Sequence, residues 1–456
     1  MANYDRLSPQ DSSFLYWEAP NVHMHVGGLI VYDDTGFTME DVYKHAAERM
    51  QLVPRFRKKL MFVPYNQGRP IWVDDDSFEI AYHVRHTALP DPQGERELYN
   101  LFARIMSSQL DRTRPLWEMW IVDMPGDQRA MIYKTHHALI DGVSGVDLAA
   151  VILDITPEGR EVELEEWIPE PPPTPTQLLA DTMLERLTQP AEMYRAIRGT
   201  TRTPREWFDR AKEIGKGIGQ VTRVPFEAAP KTSLAKQKGG YRRFDVASAD
   251  LAAFKAIKNE HDTTVNDVVL AVVSGGLRKF LIERGDDVED LVMKAAVPVS
   301  TRDESDEMSM GNKVSAMFAE LPVGVADPFE RLRRVRVQMG DLKDSLQALG
   351  TETMMKLADF APPSLIGLAG RAVANQWVMN LTVTNVPGPQ FPLYFMGGKI
   401  HEILPFVPLV GATSVGVAVL SYEGKIRFGL TADWGTVPDL HVLTEGIEKS
   451  IAELGA

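Results

Sequence analysis

Residues 132–145 read IYKTHHALIDGVSG: two consecutive histidines, His136 and His137, with Asp141 and Gly142 shortly after them. Two imidazoles and a carboxylate in so short a stretch can serve a metal, a proton transfer or a plain loop. For a metal, His136, His137 and Asp141 are three potential ligands, and His23 with His25 two more. Adjacent residues on an extended strand project to opposite faces, so both members of a pair seldom reach one ion. Neither an HExxH helix nor any cysteine is there to complete a ligand set, and no metal is expected. For proton transfer, an imidazole with a pKa near ~6.5 can take a proton from an alcohol and return it to a leaving group at neutral pH. It then needs a fixed tautomer and ring angle, which a carboxylate or a backbone carbonyl can supply, while Asp141 can alternatively brace the loop by pairing with an arginine. Covalent catalysis is disfavoured. Ser144 stands in DGVSGV, without the G-x-S-x-G of a nucleophile elbow, and there is no cysteine. The residues alone leave the proton-transfer and structural readings both open.

The elements around the motif are those that aim side chains. PLWEMWIVDMP and QRAMIYKTHHAL predict two strands around a turn at Gly126-Asp127, so the histidines fall at a strand end. Ser144 and Asp147, three apart, form a capping-box pair for a helix through VDLAAVILD. Earlier, Thr38 with Asp41 caps a helix that Pro54 stops; DDSFEIAYHVRHTALP is expected to be a strand and GERELYNLFARIMSSQLD a helix. Five prolines between Pro169 and Pro175 then favour extended backbone and open a crossover, expected to be mainly helical, that lasts to residue 238. In the second half Thr264 and Asp267 cap the helix of TVNDVVLAVVSGGLRKFLIERG, while DLVMKAAVPVSTR and GNKVSAMFAELP are strand-like. Strands and helices alternate in both halves, which argues α/β sheets with helices on their faces. The division expected is 1–165, a crossover 166–238, and 239–456.

Composition sets outer limits. A chain of 456 residues with 44% hydrophobic and 25% charged residues can bury more than one core. A formal net charge of −14 disfavours non-specific binding to nucleic acid or an anionic bilayer, and no basic, aromatic-interleaved tract supports nucleic-acid recognition. The absence of cysteine fits a reducing compartment. MANYDRLSPQDSS, with Asp5 and Arg6 and no apolar segment, does not read as a secretory signal. The uncharged stretch from Ile403 to Leu420 approaches the ~20 residues of a membrane helix. Its prolines, Pro405 and Pro408, and its β-branched run into SYEGKIRFGLTAD instead predict a loop, a buried strand, a turn at Glu423-Gly424 and another strand. The glycines of IGKGIGQ (214–220) lack the strand and Lys-Ser/Thr pair of a phosphate loop.

At HHALIDG the sequence resembles the HHxxxDG acyltransferases of the chloramphenicol-acetyltransferase-like fold, and more narrowly the bacterial wax ester synthase/diacylglycerol acyltransferase family. LSPQDSSFLYWE (7–18), MHVGGL (24–29), RPLWEMW (114–120), TVNDVVLAVVSGGLR (264–278), VPVSTR (297–302), GNKVS (311–315), NVPGP (385–389) and SYEGKIRFG (421–429) look like family blocks in family order. The resemblance implies two chloramphenicol-acetyltransferase-like α/β domains with mixed sheets flanked by helices, and an active-site channel between them. It implies acyl-CoA as co-substrate, no permanently bound cofactor, and a fatty alcohol or diacylglycerol as acceptor, giving wax ester or triacylglycerol. His137 would be the general base, His136 would shape the pocket, Asp141 would hold the motif loop and Gly142 would permit its turn. Asn266 and Asp267 match the family's ND pair and Asn385 opens NVPGP; each either caps or turns the backbone, or lends polar groups to an oxyanion. Trp117 and Trp120 are expected to pack the core. One departure is APKTSLAKQKGG (229–240), where the family would place a proline-leucine-asparagine element.

Two rivals stand beside this reading: a condensation-type acyltransferase of the same fold, which would work on carrier proteins, and a non-enzymatic lipid-inclusion scaffold. The location expected is cytoplasmic, with peripheral contact at an inner membrane or lipid-droplet surface. The apolar segment MKLADFAPPSLIGLAG (355–370) is the candidate contact.

Overall fold

The computed structural model describes residues 4–140, 148–185, 228–236, 239–300, 314–349 and 378–455. In chain order the first half holds α1 (Pro9–Trp17), β1 (His25–Asp33), α2 (Met39–Met50), β2 (Lys58–Met61), β3 (Ile71–Asp74), α3 (Ile80–His83) and β4 (Val84–Ala88). It continues with α4 (Glu95–Met106), β5 (Trp117–Asp123), β6 (Gln128–His136), α5 (His137–Ile140) and α6 (Leu148–Ile152). The second half holds β7 (Arg242–Asp250), α7 (Leu251–Glu260), α8 (Val265–Glu283), β8 (Met293–Ser300), β9 (Val314–Leu321) and α9 (Pro328–Leu349). It ends with β10 (Leu381–Pro387), β11 (Tyr394–Phe395), β12 (Gly398–Phe406), β13 (Val415–Tyr422), β14 (Lys425–Asp433) and α10 (Leu440–Glu453).

Among the described residues two six-stranded sheets form, in the orders β11-β12-β1-β6-β5-β4 and β7-β14-β13-β10-β8-β9, beside a two-stranded β2-β3 ribbon. Both six-stranded sheets are mixed. In the first, β4 and β5 run parallel and the other pairs antiparallel. In the second, β10 lies parallel to both β8 and β13. This is a two-domain α/β architecture of mixed sheets flanked by helices, with one exchange: β12, from the second half of the chain, hydrogen-bonds onto β1, and β11 pairs with β12 to complete the first sheet.

The first sheet is buried on both faces. Successive side chains of β1 alternate, so Ile30 and Tyr32 enter one core while Leu29 and Val31 enter the other. That second core is the seam between the halves, where Phe102 of α4 meets Phe244 of β7 edge-on at 4.7 Å. A polar clamp accompanies it: Arg242 donates its backbone N–H to Ser107 Oγ and its guanidinium to the Asn21 carbonyl.

Several sequence blocks have their cause in backbone proximity. A Cβ at Gly27 would sit 2.0 Å from the Tyr133 carbonyl oxygen, and one at Gly28 2.8 Å from the Tyr133 ring. Gly388 in NVPGP passes the Ser421 carbonyl in the same way, and Gly276 of α8 passes the Ile447 backbone of α10. The capping boxes expected at Thr38–Asp41 and Thr264–Asp267 are both closed reciprocally.

Two expectations are corrected. The segment read as a strand from residue 75 begins instead with the short helix α3 and becomes strand only at Val84. Burial of His83 accounts for it: the ring stacks on Trp117 at 4.6 Å and bonds the Trp117 carbonyl, a placement a straight strand would not give. The loop expected after Ile403 is the end of β12, which runs through Pro405 opposite Gly28. Proline is tolerated because β11 pairs only at the other end of β12, leaving no second ladder there to need its missing N–H. β13 and β14 form the expected buried strand and hairpin, with Gly424 at φ 79. No helix among the described residues is long and apolar enough to cross a membrane.

Candidate functional site

β6 is a central strand, held by β1 on one side and β5 on the other, and its last residue is His136. The chain turns there directly into α5. The His136 N–H donates to the Leu116 carbonyl and the His137 N–H to the Met24 carbonyl at 2.8 Å, so both backbone positions at the junction are fixed. The two imidazoles diverge: His136 is buried, and His137 is half-buried. This is the divergence expected of neighbours at a strand end. His23 and His25 form a separate pair with rings 5.6 Å apart, His25 bonded through Nε2 to the Met106 carbonyl at 2.7 Å.

The tautomer of His136 follows from its neighbours. The Ala138 N–H donates to His136 Nδ1 at 3.0 Å, so that nitrogen is the acceptor and Nε2 carries the hydrogen. Nε2 faces Glu18 Oε1 at 3.5 Å. Glu18 in turn accepts from the Met24 N–H at 2.8 Å, from Gln109 Nε2 at 3.0 Å and from Arg112 Nη2 at 2.7 Å. Burial works against its ionised form, yet His136, the Met24 N–H and Arg112 outweigh it and hold the carboxyl well below the usual carboxylate range. Burial lowers the pKa of His136, the Glu18 charge offsetting this only in part, so the imidazole stays neutral. His136 is therefore a fixed wall of the site. The His137 ring has a different neighbour, the Phe14 ring of α1, stacked 4.7 Å away and tilted by 26°.

These buried histidines have a consequence for stability. Burial lowers the pKa of His25 as well, and pushes His83 down to about 4. In the unfolded chain each would protonate near pH ~6.5. Between that pH and the folded-state value the unfolded chain binds more protons, so stability is lost as pH falls through ~6.5. Urea unfolding is expected to show His83 costing stability with a slope that approaches about 1.4 kcal/mol per pH unit as pH falls from ~6.5 towards ~5, with His25 and His136 adding to the loss in the same direction. Glu18, with its depressed pKa, contributes stability above its unfolded value near ~4.3 and adds to the loss only below it. A flat stability curve from pH 7 to 5 would contradict neutral burial of the histidines.

Elsewhere, Asp267 is absorbed by its cap: Oδ2 accepts from the hydroxyls of Thr263 and Thr264 and from the Thr264 N–H. Asn266, next to it, meets Asn385 of β10, whose Nδ2 donates to Asn266 Oδ1 at 3.5 Å, a long contact. So the ND pair and NVPGP come together on the second half, and the histidines with Glu18 on the first. Asp141 and Gly142, with Ser144 and Asp147, lie outside the described residues, as do residues 214–220 and the segment 355–370. Trp117 packs the core as expected, its Nε1 bonded to the Phe56 carbonyl, and Trp120 lies under the Arg85 guanidinium. A cavity of about 550 Å³ opens between α4 and β5, lined by Arg85, Arg104, Asp111, Glu118 and Trp120 among others. Neither histidine of the motif lines it, and its walls mix these ionic groups with Leu101, Ile105 and Leu110.

Glu18, Arg112 and Phe14 were not legible as functional residues. Glu18 and Phe14 stand inside the block LSPQDSSFLYWE, but nothing local assigns them a task. The partner that fixes Glu18 as an anion, Arg112, lies 94 positions away.

Comparison with known proteins agrees along the whole chain. The family model described as the wax ester synthase/diacylglycerol acyltransferase catalytic domain matches residues 7–269, and that of the WS/DGAT C-terminal domain matches residues 310–455. A probable diacylglycerol O-acyltransferase of Mycobacterium tuberculosis, tgs2, is 33% identical over 457 residues, covering 99% of this chain and 98% of that protein. The wax ester synthase/diacylglycerol acyltransferase from Marinobacter aquaeolei VT8 is 28% identical, with a TM-score of 0.67 and 98% of each chain covered. The first condensation domain of the calcium-dependent antibiotic synthetase, at 17% identity and a TM-score of 0.60 over 100% of this chain and 97% of that one, shares the fold.

Proposed function

The chain belongs to the wax ester synthase/diacylglycerol acyltransferase family, an acyl-CoA-dependent O-acyltransferase, and from that premise we propose that His137 is the general base of a direct acyl transfer. The observation that carries this is the contrast at the β6–α5 junction: the His136 imidazole is locked into the interior, and that of His137 is only partly buried, at a strand–helix corner where both backbone N–H groups are bonded. In the reaction proposed, the His137 imidazole takes the hydroxyl proton of a fatty alcohol or diacylglycerol. The alkoxide oxygen forms a bond to the thioester carbon of a long-chain acyl-CoA. The tetrahedral intermediate collapses, the C–S bond breaks, and the imidazolium protonates the departing thiolate. Ester and free CoA leave, with no acyl-enzyme and no resident cofactor.

The other site residues take supporting parts in this proposal. His136 shapes the pocket from its buried position, Asp141 holds the motif loop, and Gly142 permits its turn. Asp267 serves through its cap on α8, while Asn266 and Asn385 present amides to the developing oxyanion. The division into 1–165, a crossover 166–238 and 239–456 is retained, with β11 and β12 exchanged into the first sheet. The channel between the halves would receive CoA from one side and the lipid acceptor from the other. Because the acceptors are insoluble, we place the enzyme in the cytoplasm with peripheral contact at a membrane or lipid inclusion.

The test is thiol release from palmitoyl-CoA with hexadecanol or dioleoylglycerol, the product verified as ester because hydrolysis also frees thiol. Acceptor-dependent ester supports the reading, and the better acceptor defines the substrate class. Absence of ester with either acceptor overturns it and favours the scaffold alternative, and transfer only to carrier-bound acceptors favours the condensation type.

A further inference from the structure

α1 reaches the proposed base by two routes. It starts at a firm cap, with Ser8 Oγ accepting from the Asp11 N–H at 3.0 Å and Pro9 in its first turn. Phe14 and Glu18 are four apart, one within the helix and one at its C-terminal cap, and so share a face. Phe14 is the ring stacked on His137. Glu18 acts from below: its Oε1 accepts the Met24 N–H, and the carbonyl of the same Met24 accepts the His137 N–H at 2.8 Å. Its Oε1 also faces His136 Nε2. Arg112 closes the arrangement, donating to Glu18 Oε2 and to the Leu15 carbonyl near the end of α1.

The donor count explains why the residue is an acid. Met24 N–H and His136 Nε2–H face one oxygen, while Gln109 Nε2 and the Arg112 Nε and Nη2 face the other. An amide in place of the carboxylate would set an NH₂ against N–H donors whichever way it flipped, so only a carboxylate satisfies the site.

We propose that Phe14 and Glu18 are positioning residues for the reaction, Phe14 setting the His137 ring by stacking and Glu18 setting the His137 backbone through Met24 and the neighbouring His136. The inference rests on the reading of His137 as the base. A base displaced by about 1 Å can lose about 10²-fold in rate, so these residues should act on turnover and leave substrate binding alone.

The experiment uses the full chain with palmitoyl-CoA and dioleoylglycerol or hexadecanol, measuring kcat, KM and melting temperature for Glu18→Gln, Phe14→Leu, Phe14→Tyr and His137→Ala. Folded Glu18→Gln is expected to lose about 10²-fold in kcat with each KM within about twofold of wild type. Phe14→Leu should lose about 10-fold in kcat, and Phe14→Tyr, which keeps the ring, should recover most of it. A folded Glu18→Gln with wild-type kcat, or one whose loss lies in KM alone, overturns the proposal. Should Glu18→Gln fail to fold, the Phe14 pair decides: slow leucine and restored tyrosine support it, and equal or equally slow variants overturn it. If His137→Ala keeps wild-type turnover, the reading of the base fails instead, which separates the two failures.

Discussion

Replacing His137 by alanine is expected to lower acceptor-dependent ester formation by about 10²- to 10⁴-fold, the range that general-base catalysis supplies, while the chain stays folded. The stability half of this expectation follows from burial. The His137 side chain is only partly buried, and alanine keeps the backbone N–H bond to the Met24 carbonyl while losing the ring contact with Phe14. His136→Ala should behave in the opposite way. It removes the acceptor of the Ala138 N–H and leaves Glu18 facing a void, so about 1–3 kcal/mol of stability is at stake. Any activity it loses should come through displacement of its neighbour. Denaturation curves run beside ester assays separate the two: His137→Ala stable and inactive, His136→Ala unstable and partly active. If the two variants lose activity equally with no difference in stability, the division of labour between the histidines is wrong.

How much of this was legible in the sequence depends on the range over which each feature is determined. The caps at Thr38 and Thr264 close within three residues, and both were readable. The strand that ends at His136 and the turn at Gly126 were readable for the same reason, since alternation and turn chemistry are local. The Glu18–Arg112 pair was not, because nothing in either segment names a partner 94 positions away. The transfer of β12 into the first sheet was hidden for a related reason: Ile403 to Phe406 satisfy their burial against β1, where Ile403 opposes Ile30 and Phe406 opposes Gly27 from the far end of the chain, and the proline at 405 disguised the strand. α3 was missed because a buried histidine, bonded to Trp117, set the backbone there more strongly than alternation did. The family blocks were recognisable as blocks, but their causes, such as the carbonyl of Tyr133 against Gly27, became visible only with strands in register.

Lys134→Met is expected to cost about 3–5 kcal/mol of unfolding free energy, the penalty of leaving a buried ion-pair partner alone. Lys134 sits on β6 just before the motif, fully buried, and its ammonium has three partners. It donates to the Ile105 carbonyl at 2.9 Å and the Ser108 carbonyl at 2.9 Å, and pairs with the Glu118 carboxylate on β5. The Ile105 carbonyl belongs to the last turn of α4 and that of Ser108 lies just past its cap, so the cation also meets the negative end of the helix dipole. Burial lowers the Lys134 pKa, and the adjacent Glu118 charge counters it in part. Methionine keeps the stem's volume, which confines the loss to charge and hydrogen bonds. Arg85, 3.4 Å from Glu118, can take over part of the pairing and should place the effect toward the lower end of the range. Adding Glu118→Leu to Lys134→Met removes the stranded carboxylate and should recover part of the loss, a coupling that a double-mutant cycle reads from denaturant unfolding. The site feels this pair as well, because the same helix end offers the Met106 carbonyl to His25, which faces His136 across β1 and β6. Recovery of stability together with ester-forming activity in the double variant would place the role of Lys134 in the fold; recovery of stability without activity would mean that the ammonium also sets the geometry of the histidine corner.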